Sequence, residues 1–325
     1  MKKGFFFRRL LVLKLALALL ILGCSQQNFQ MQNQTQSFSQ IQAYNNKVDV
    51  LLVMDTSSSM LRFRDQLAEQ IPSFISQLNL TQIDYRIGVT TMDLQPGGSG
   101  GKLLGSPKVL TQNTPDLVQL LQDRIRFVLP GSIDEMGLES MRRVLDVEGK
   151  SFLRSDSLLV NIFLTDEDDY SSDTKSFIPV SRYVEDLDRR KPRFQSGVRS
   201  WVAHLIGIDS FQEMLNCGAS EVGSRYIDLV KNSNGHLAPV CSGRMSQMVE
   251  NIRVQMLQLL SDYYLPRRPA LGSIRVFVRG LEVTRSQSNG WDYDAQTNKI
   301  RFFGSWIPGV YDSISVQFTP VDAGS

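Results

Sequence analysis

Asp55-Thr56-Ser57-Ser58-Ser59 places one carboxylate and alternate hydroxyls within five residues, directly after the apolar run Val48 to Met54. A carboxylate and two hydroxyls converging from one turn offer hard oxygen donors to a cation that takes about six of them. A second carboxylate, Asp166, follows Leu164-Thr165 at the end of another apolar run, Leu158 to Thr165. On one loop alone, Asp55 and its serines could simply cap the helix that follows. Helix capping does not call for a carboxylate from a distant strand, so the two loops together favour a Mg²⁺ site, with Mn²⁺ or Ca²⁺ as alternatives. The chain has only 2 His and 3 Cys, too few for a zinc site built from several of either. No G-x-S-x-G surrounds Ser57 or Ser59, and a Ser-His-Asp centre would have to recruit His204 or His236. His204 lies inside the apolar run Val202 to Ile208 and reads as a hydrogen-bonded core residue, and His236 as a turn residue. The Gly97 to Gly101 run is followed by Lys102-Leu103 rather than Gly-Lys-Ser/Thr, so it reads as a flexible loop and not a phosphate cradle. An enzyme is therefore not expected. Glu167, Asp168 and Asp169 read as a solvated acidic loop outside the metal set.

Positioning these groups needs buried parallel strands. Val48 to Met54, Tyr85 to Thr91, Leu158 to Thr165 and Trp201 to Ile208 are nearly continuous apolar runs, as strands buried on both faces require. Helical spacing separates them: Leu67, Ile71, Phe74, Ile75 and Leu78; Leu117, Leu120, Leu121 and Ile125; Leu138, Met141 and Leu145. The fold class is α/β, a doubly wound, mostly parallel sheet flanked by helices, whose strand-carboxyl edge is where such sheets place ligands. A last helix carrying Met248, Ile252, Met256 and Leu259 stops before Pro266 and Pro269. Beyond it the period becomes two, with Ile274, Val276, Val278 and then Ile314, Val316, Phe318 facing one way, so a small β module follows. Asn289-Gly290 is its tight-turn signal.

At 325 residues, 42% hydrophobic and 21% charged, the chain can bury a core without staples, and its formal charge of +2 offers no global field for a polyanion. Lys2, Lys3, Arg8 and Arg9 precede a short apolar run ending Leu22-Gly23-Cys24. This resembles the bacterial lipobox, which implies cleavage before Cys24, lipidation of that thiol and, with Ser25 following, an outer-membrane lipoprotein. Residues 25–46 hold eight Gln, four Asn and no charge and read as a tether. In that oxidising setting Cys217 and Cys241 form an even pair, expected to be a disulfide worth about 3 to 4 kcal/mol in the chain-entropy picture. The boundaries are a signal peptide at 1–23, a lipidated tether at 24–46, the α/β domain at 47–265 and the β module at 270–325.

The D-x-S-x-S turn and the later Thr165-Asp166 resemble the von Willebrand factor A domain and its metal-ion-dependent adhesion site, over about Val48 to Leu265. The resemblance implies that Ser57 and Ser59 bind the cation directly and that Asp55 and Asp166 bind it or orient its waters. That family places a Thr before a helix-opening Gly; here the stretch reads Gly131-Ser132-Ile133-Asp134-Glu135-Met136-Gly137. Asp134, three before Gly137, is the third ligand, or Ser132 if the loop is shifted. The function implied is divalent-cation-dependent recognition of an Asp or Glu on a protein partner, with a metal-assisted envelope hydrolase or a purely structural envelope scaffold as rivals.

Overall fold

Strand β1 (Lys47–Met54) runs at the centre of a six-stranded sheet with β2 (Asp84–Thr91) on one side and β4 (Leu158–Thr165) on the other, both parallel to it. The order is completed by β5 (Trp201–Gly207), β6 (Leu237–Pro239) and a two-residue antiparallel edge strand, β3 (Leu110–Thr111), giving β3-β2-β1-β4-β5-β6. The α/β class expected from the sequence is therefore present, with one antiparallel edge. The computed structural model describes residues 46–81, 83–127, 135–173, 176–193, 199–308 and 312–321, all within one unit. The lipobox, Cys24 and the tether lie outside the described residues, as do Ser132 and Asp134.

Alternation along the central strands splits the core in two, because successive side chains of a strand point to opposite faces. Val48, Val50, Leu52 and Met54 join Leu158, Val160, Ile162 and Leu164 on one face. There they meet α1 (Leu61–Leu80), α2 (Leu117–Arg126) and α8 (Met245–Ser261). Leu51, Val53, Leu159 and Phe163 point the other way, onto α3 (Gly137–Val147), α5 (Val180–Arg190) and α7 (Ser224–Ser233). Two short helices, α4 (Gly149–Phe152) and α6 (Phe211–Cys217), complete the set. No helix among the described residues is long and apolar enough to cross a membrane.

The C-terminal residues build two three-stranded sheets. One has the order β10 (Gly290–Asp294), β11 (Lys299–Phe303), β7 (Asp262–Tyr264), and the other β12 (Ile314–Gln317), β8 (Arg275–Val278), β9 (Leu281–Val283). Strand β7 follows α8 without a break and pairs with β11, so residues before Pro266 already contribute to the module's sheet. Ile274, Val276, Val278, Val316 and Phe318 are buried with Trp291 and Phe302, as the period of two requires. The tight turn falls elsewhere than expected. Arg279 and Gly280 both have positive φ and join β8 to β9 as a two-residue hairpin loop, the backbone that such primed turns demand. Neither Asn289 nor Gly290 has positive φ. Gly290 is needed for close approach, since a Cβ there would stand 2.2 Å from Thr284 O.

Candidate metal centre

The ladder brings the two acidic loops together. Met54 is in register with Leu164, and Asp55 N–H continues the pairing by donating to Leu164 O at 3.0 Å. Residues more than a hundred apart in sequence therefore leave the sheet side by side at its carboxyl edge. Asp55 is fully buried; its Oδ1 accepts from Ser57 N–H at 2.7 Å and its Oδ2 from Thr165 Oγ1 at 2.8 Å. Ser57 Oγ and Ser59 Oγ are 2.9 Å apart, and Ser59 Oγ donates to Asp166 Oδ1 at 3.1 Å. Hydrogen bonds thus link the buried Asp55, through the Ser57 backbone N–H, to a run of oxygens from Ser57 Oγ and Ser59 Oγ to the half-buried Asp166. No serine side chain caps the 3₁₀ turn Ser58–Met60 or α1 that follows it, so capping does not account for these hydroxyls.

A carboxylate not singled out in the sequence lies beneath them. Glu135 is fully buried, and neither of its oxygens is offered a donor among the described residues. It faces the carboxylate of Asp55. Burial first, then the charges of Asp55 and Glu167, a side-chain hydrogen bond with Asp55 and the charge of Asp93 push its pKa up to about 10, so without a cation it keeps its proton at neutral pH. Asp166 is also raised, by burial and then by Asp55. Among the described residues no Lys or Arg pairs with Asp55, Glu135 or Asp166; Arg64 and Arg62 lend only longer-range attraction. Arg64 is itself buried and donates through Nη1 to Phe127 O at 2.8 Å.

The donor set fits a hard divalent cation. Every group is an oxygen, and Glu135, facing Asp55 with no Lys or Arg paired to it among the described residues, would add a second buried carboxylate once an ion displaced its proton. Asp55, Glu135 and Asp166 do not bring one oxygen each within 4.8 Å of one another, the only such trio of candidate ligands among the described residues being Glu213, Cys217 and Cys241. Asp166 is linked to this group through the Ser59 hydroxyl. The cysteine trio is no second cation site: Cys217 and Cys241 are at disulfide-bonding distance, with Cα atoms 5.6 Å apart, and Cys241 N–H donates to Glu213 Oε1 at 2.7 Å.

The acidic run after Asp166 departs from the solvated loop expected of it. Asp169 is buried, accepts from Leu138 N–H at 2.9 Å and pairs with Arg225 Nε at 3.0 Å. Asp168 accepts from Arg225 N–H, and Glu221 receives both Asp168 N–H and the Tyr170 hydroxyl. These residues tie three loops together. The glycine loop at 97–101 folds back on the end of β2, with Gly100 N–H donating to Asp93 O at 2.8 Å and Thr91 Oγ1 2.9 Å from Ser99 Oγ. His204 is buried, as expected: its Nδ1 accepts from His236 N–H at 3.0 Å, and its ring stacks on that of His236.

No family model and no curated protein matches this chain. Among solved structures, proximal thread matrix protein 1 of the mussel byssus is 13% identical with a TM-score of 0.40, over 68% of this chain and 50% of that one. The pilus adhesin SpaC of Lactobacillus rhamnosus GG is 12% identical with a TM-score of 0.38, over 84% of this chain and 39% of its own. The chain thus spans half the length of the first and less of the second, and likenesses this distant assign no family.

Proposed function

We propose that this chain is an exported, lipid-anchored binding protein whose α/β domain is of the von Willebrand factor A type and recognises a protein partner through a divalent cation. The observation that carries the reading is the hydrogen-bonded set of Asp55, Ser57, Ser59 and Asp166 at the strand-carboxyl edge, joined at Asp55 through the Ser57 N–H. Asp55 forms the buried floor of this set, while Ser57 and Asp166 are half-buried and Ser59 is exposed, so the donors open toward solvent. Mg²⁺ or a similar ion held there would supply a positive point to which an Asp or Glu of the partner coordinates. The chain's own part is to hold the hydroxyls in place: Asp55 braces the turn through Ser57 N–H, and Thr165 fixes the other oxygen of Asp55. The role is stoichiometric binding rather than turnover, and the export and lipidation rest on the N-terminal sequence.

Calorimetric titration of Mg²⁺ and Mn²⁺ into the purified chain, in parallel with Asp55→Ala and Asp166→Ala, tests this. Binding by the wild type is expected, with loss of at least about tenfold in each variant. Equal heats from all three proteins would overturn the cation-site reading.

A further inference from the structure

We infer that Glu135 is itself a ligand of this cation, an internal acidic arm occupying the role that the sequence pattern assigned to Asp134 or Ser132. The inference rests on the cation-site reading above and deepens it.

Glu135 is shut away from the surface. Its side chain is fully buried with both oxygens unpartnered among the described residues. Its backbone is held from two sides: Tyr170 N–H donates to Glu135 O at 2.8 Å, and the next residue's N–H, Met136, donates to Met92 O at 3.0 Å. Gly137 follows in close contact with the buried Tyr226, where a Cβ would stand 2.4 Å from the hydroxyl. The backbone of Glu135 and Met136 is thus held between the loops after β2 and β4. A buried carboxylate without a donor is costly, and one facing a second carboxylate is more so, so without a cation Glu135 keeps its proton against Asp55. A divalent cation between Asp55 and Glu135 answers both at once. Ion binding releases the Glu135 proton to solvent, the two buried carboxylates then match the ion's charge, Ser57 and Ser59 would add neutral oxygens, and Asp166 is linked to them through Ser59.

The consequence concerns the partner. An ion already neutralised by Asp55 and Glu135 is resident in the fold before any partner arrives. A partner's carboxylate meets a charge-complete site and gains less from the ion than it would from one bound by hydroxyls.

The test uses the full chain with Mn²⁺ alone, comparing wild type, Glu135→Gln and Asp166→Ala by calorimetry and by thermal melts in chelator. Glu135→Gln is expected to lose at least about tenfold in Mn²⁺ affinity, while its melt in chelator stays level with or above that of the wild type. The amide keeps the shape of the neutral carboxyl and cannot give up a proton to become an anionic ligand, whereas a merely structural Glu135 would lower that melt. Should Glu135→Gln melt far below the wild type, Glu135→Asp decides: weakened Mn²⁺ binding with an unchanged melt supports the ligand role, and unchanged binding overturns it. Mn²⁺ bound by Glu135→Gln as tightly as by wild type, with Asp166→Ala weakened, would overturn the role of Glu135 and leave the cation site standing. Absence of Mn²⁺ binding by the wild type would overturn the cation site and this inference together.

Discussion

His204 and Glu135 are both buried titratable side chains, and the fold leaves them in different conditions. His204 has an N–H donor facing its Nδ1 while its buried Nε2 has no partner among the described residues, and burial, then His236, pushes its pKa down to about 3. The unfolded chain takes up a proton near pH 6.5 that the folded chain refuses, so stability is fully present above that pH and falls as pH drops toward 3. Between pH 6 and 5, still above most carboxylates, the slope from this residue approaches about 1.4 kcal/mol per pH unit. Urea midpoints across that interval should shift more for wild type than for His204→Leu, and parallel lines would reject the assignment. Glu135 was not legible in the sequence because its type and place in the stretch resemble any loop acid. Asp55, Ser57, Ser59 and Asp166 were legible because each follows a buried strand, where the chain has little choice of position.

Helix α3 shows how an element is held by loops remote from it. Its first N–H groups have no partner within the helix, and they are met by the loop after β4: Asp169 Oδ1 takes Leu138 N–H and Ser171 Oγ takes Glu139 N–H, each at 2.9 Å. Its opening glycine is required by space rather than by dihedral angle. Gly137→Ala drives a methyl into the Tyr226 hydroxyl, and that ring is fully buried among Phe163, Met92 and their neighbours. A loss of about 1 to 3 kcal/mol in chemical denaturation is expected, together with weaker Mn²⁺ binding, because Glu135 lies two residues away. Full stability with unchanged Mn²⁺ binding would show that Tyr226 can give way.

Over the whole molecule, the polar groups that hold the sheet sit at the edge opposite the site. Asp49, buried near the start of β1, receives Arg154 N–H at 2.7 Å, pairs with the Arg154 guanidinium at 2.8 Å and accepts from Ser157. Arg154 also pairs with Asp84 at 2.7 Å, and the buried Lys191 donates to Arg154 O at 2.7 Å. This cluster joins β1, β2 and the approach to β4 at their amino ends. Asp49→Ala removes the buried acceptor shared by Arg154 N–H, the Arg154 guanidinium and Ser157 and should cost about 3 kcal/mol, read as a lower urea midpoint. Mn²⁺ affinity of the molecules still folded should be unchanged, since the strands run straight to the opposite edge. A parallel loss of affinity would show that the two edges are coupled.

The amino-acid sequence by itself determined the α/β class, the strands that form the sheet's centre, the acid and hydroxyls at its carboxyl edge and the period-two module. All of these follow from hydrophobic periodicity, which is a local property of the chain. Only the tertiary structure decided the order of the strands, the joining of β7 to β11, the hairpin at Arg279-Gly280 and the burial of Asp169 as a cap for α3. It alone set Glu135 against Asp55. Those outcomes depend on which distant backbone groups and charges end up facing one another, and no spacing along the chain carries that information.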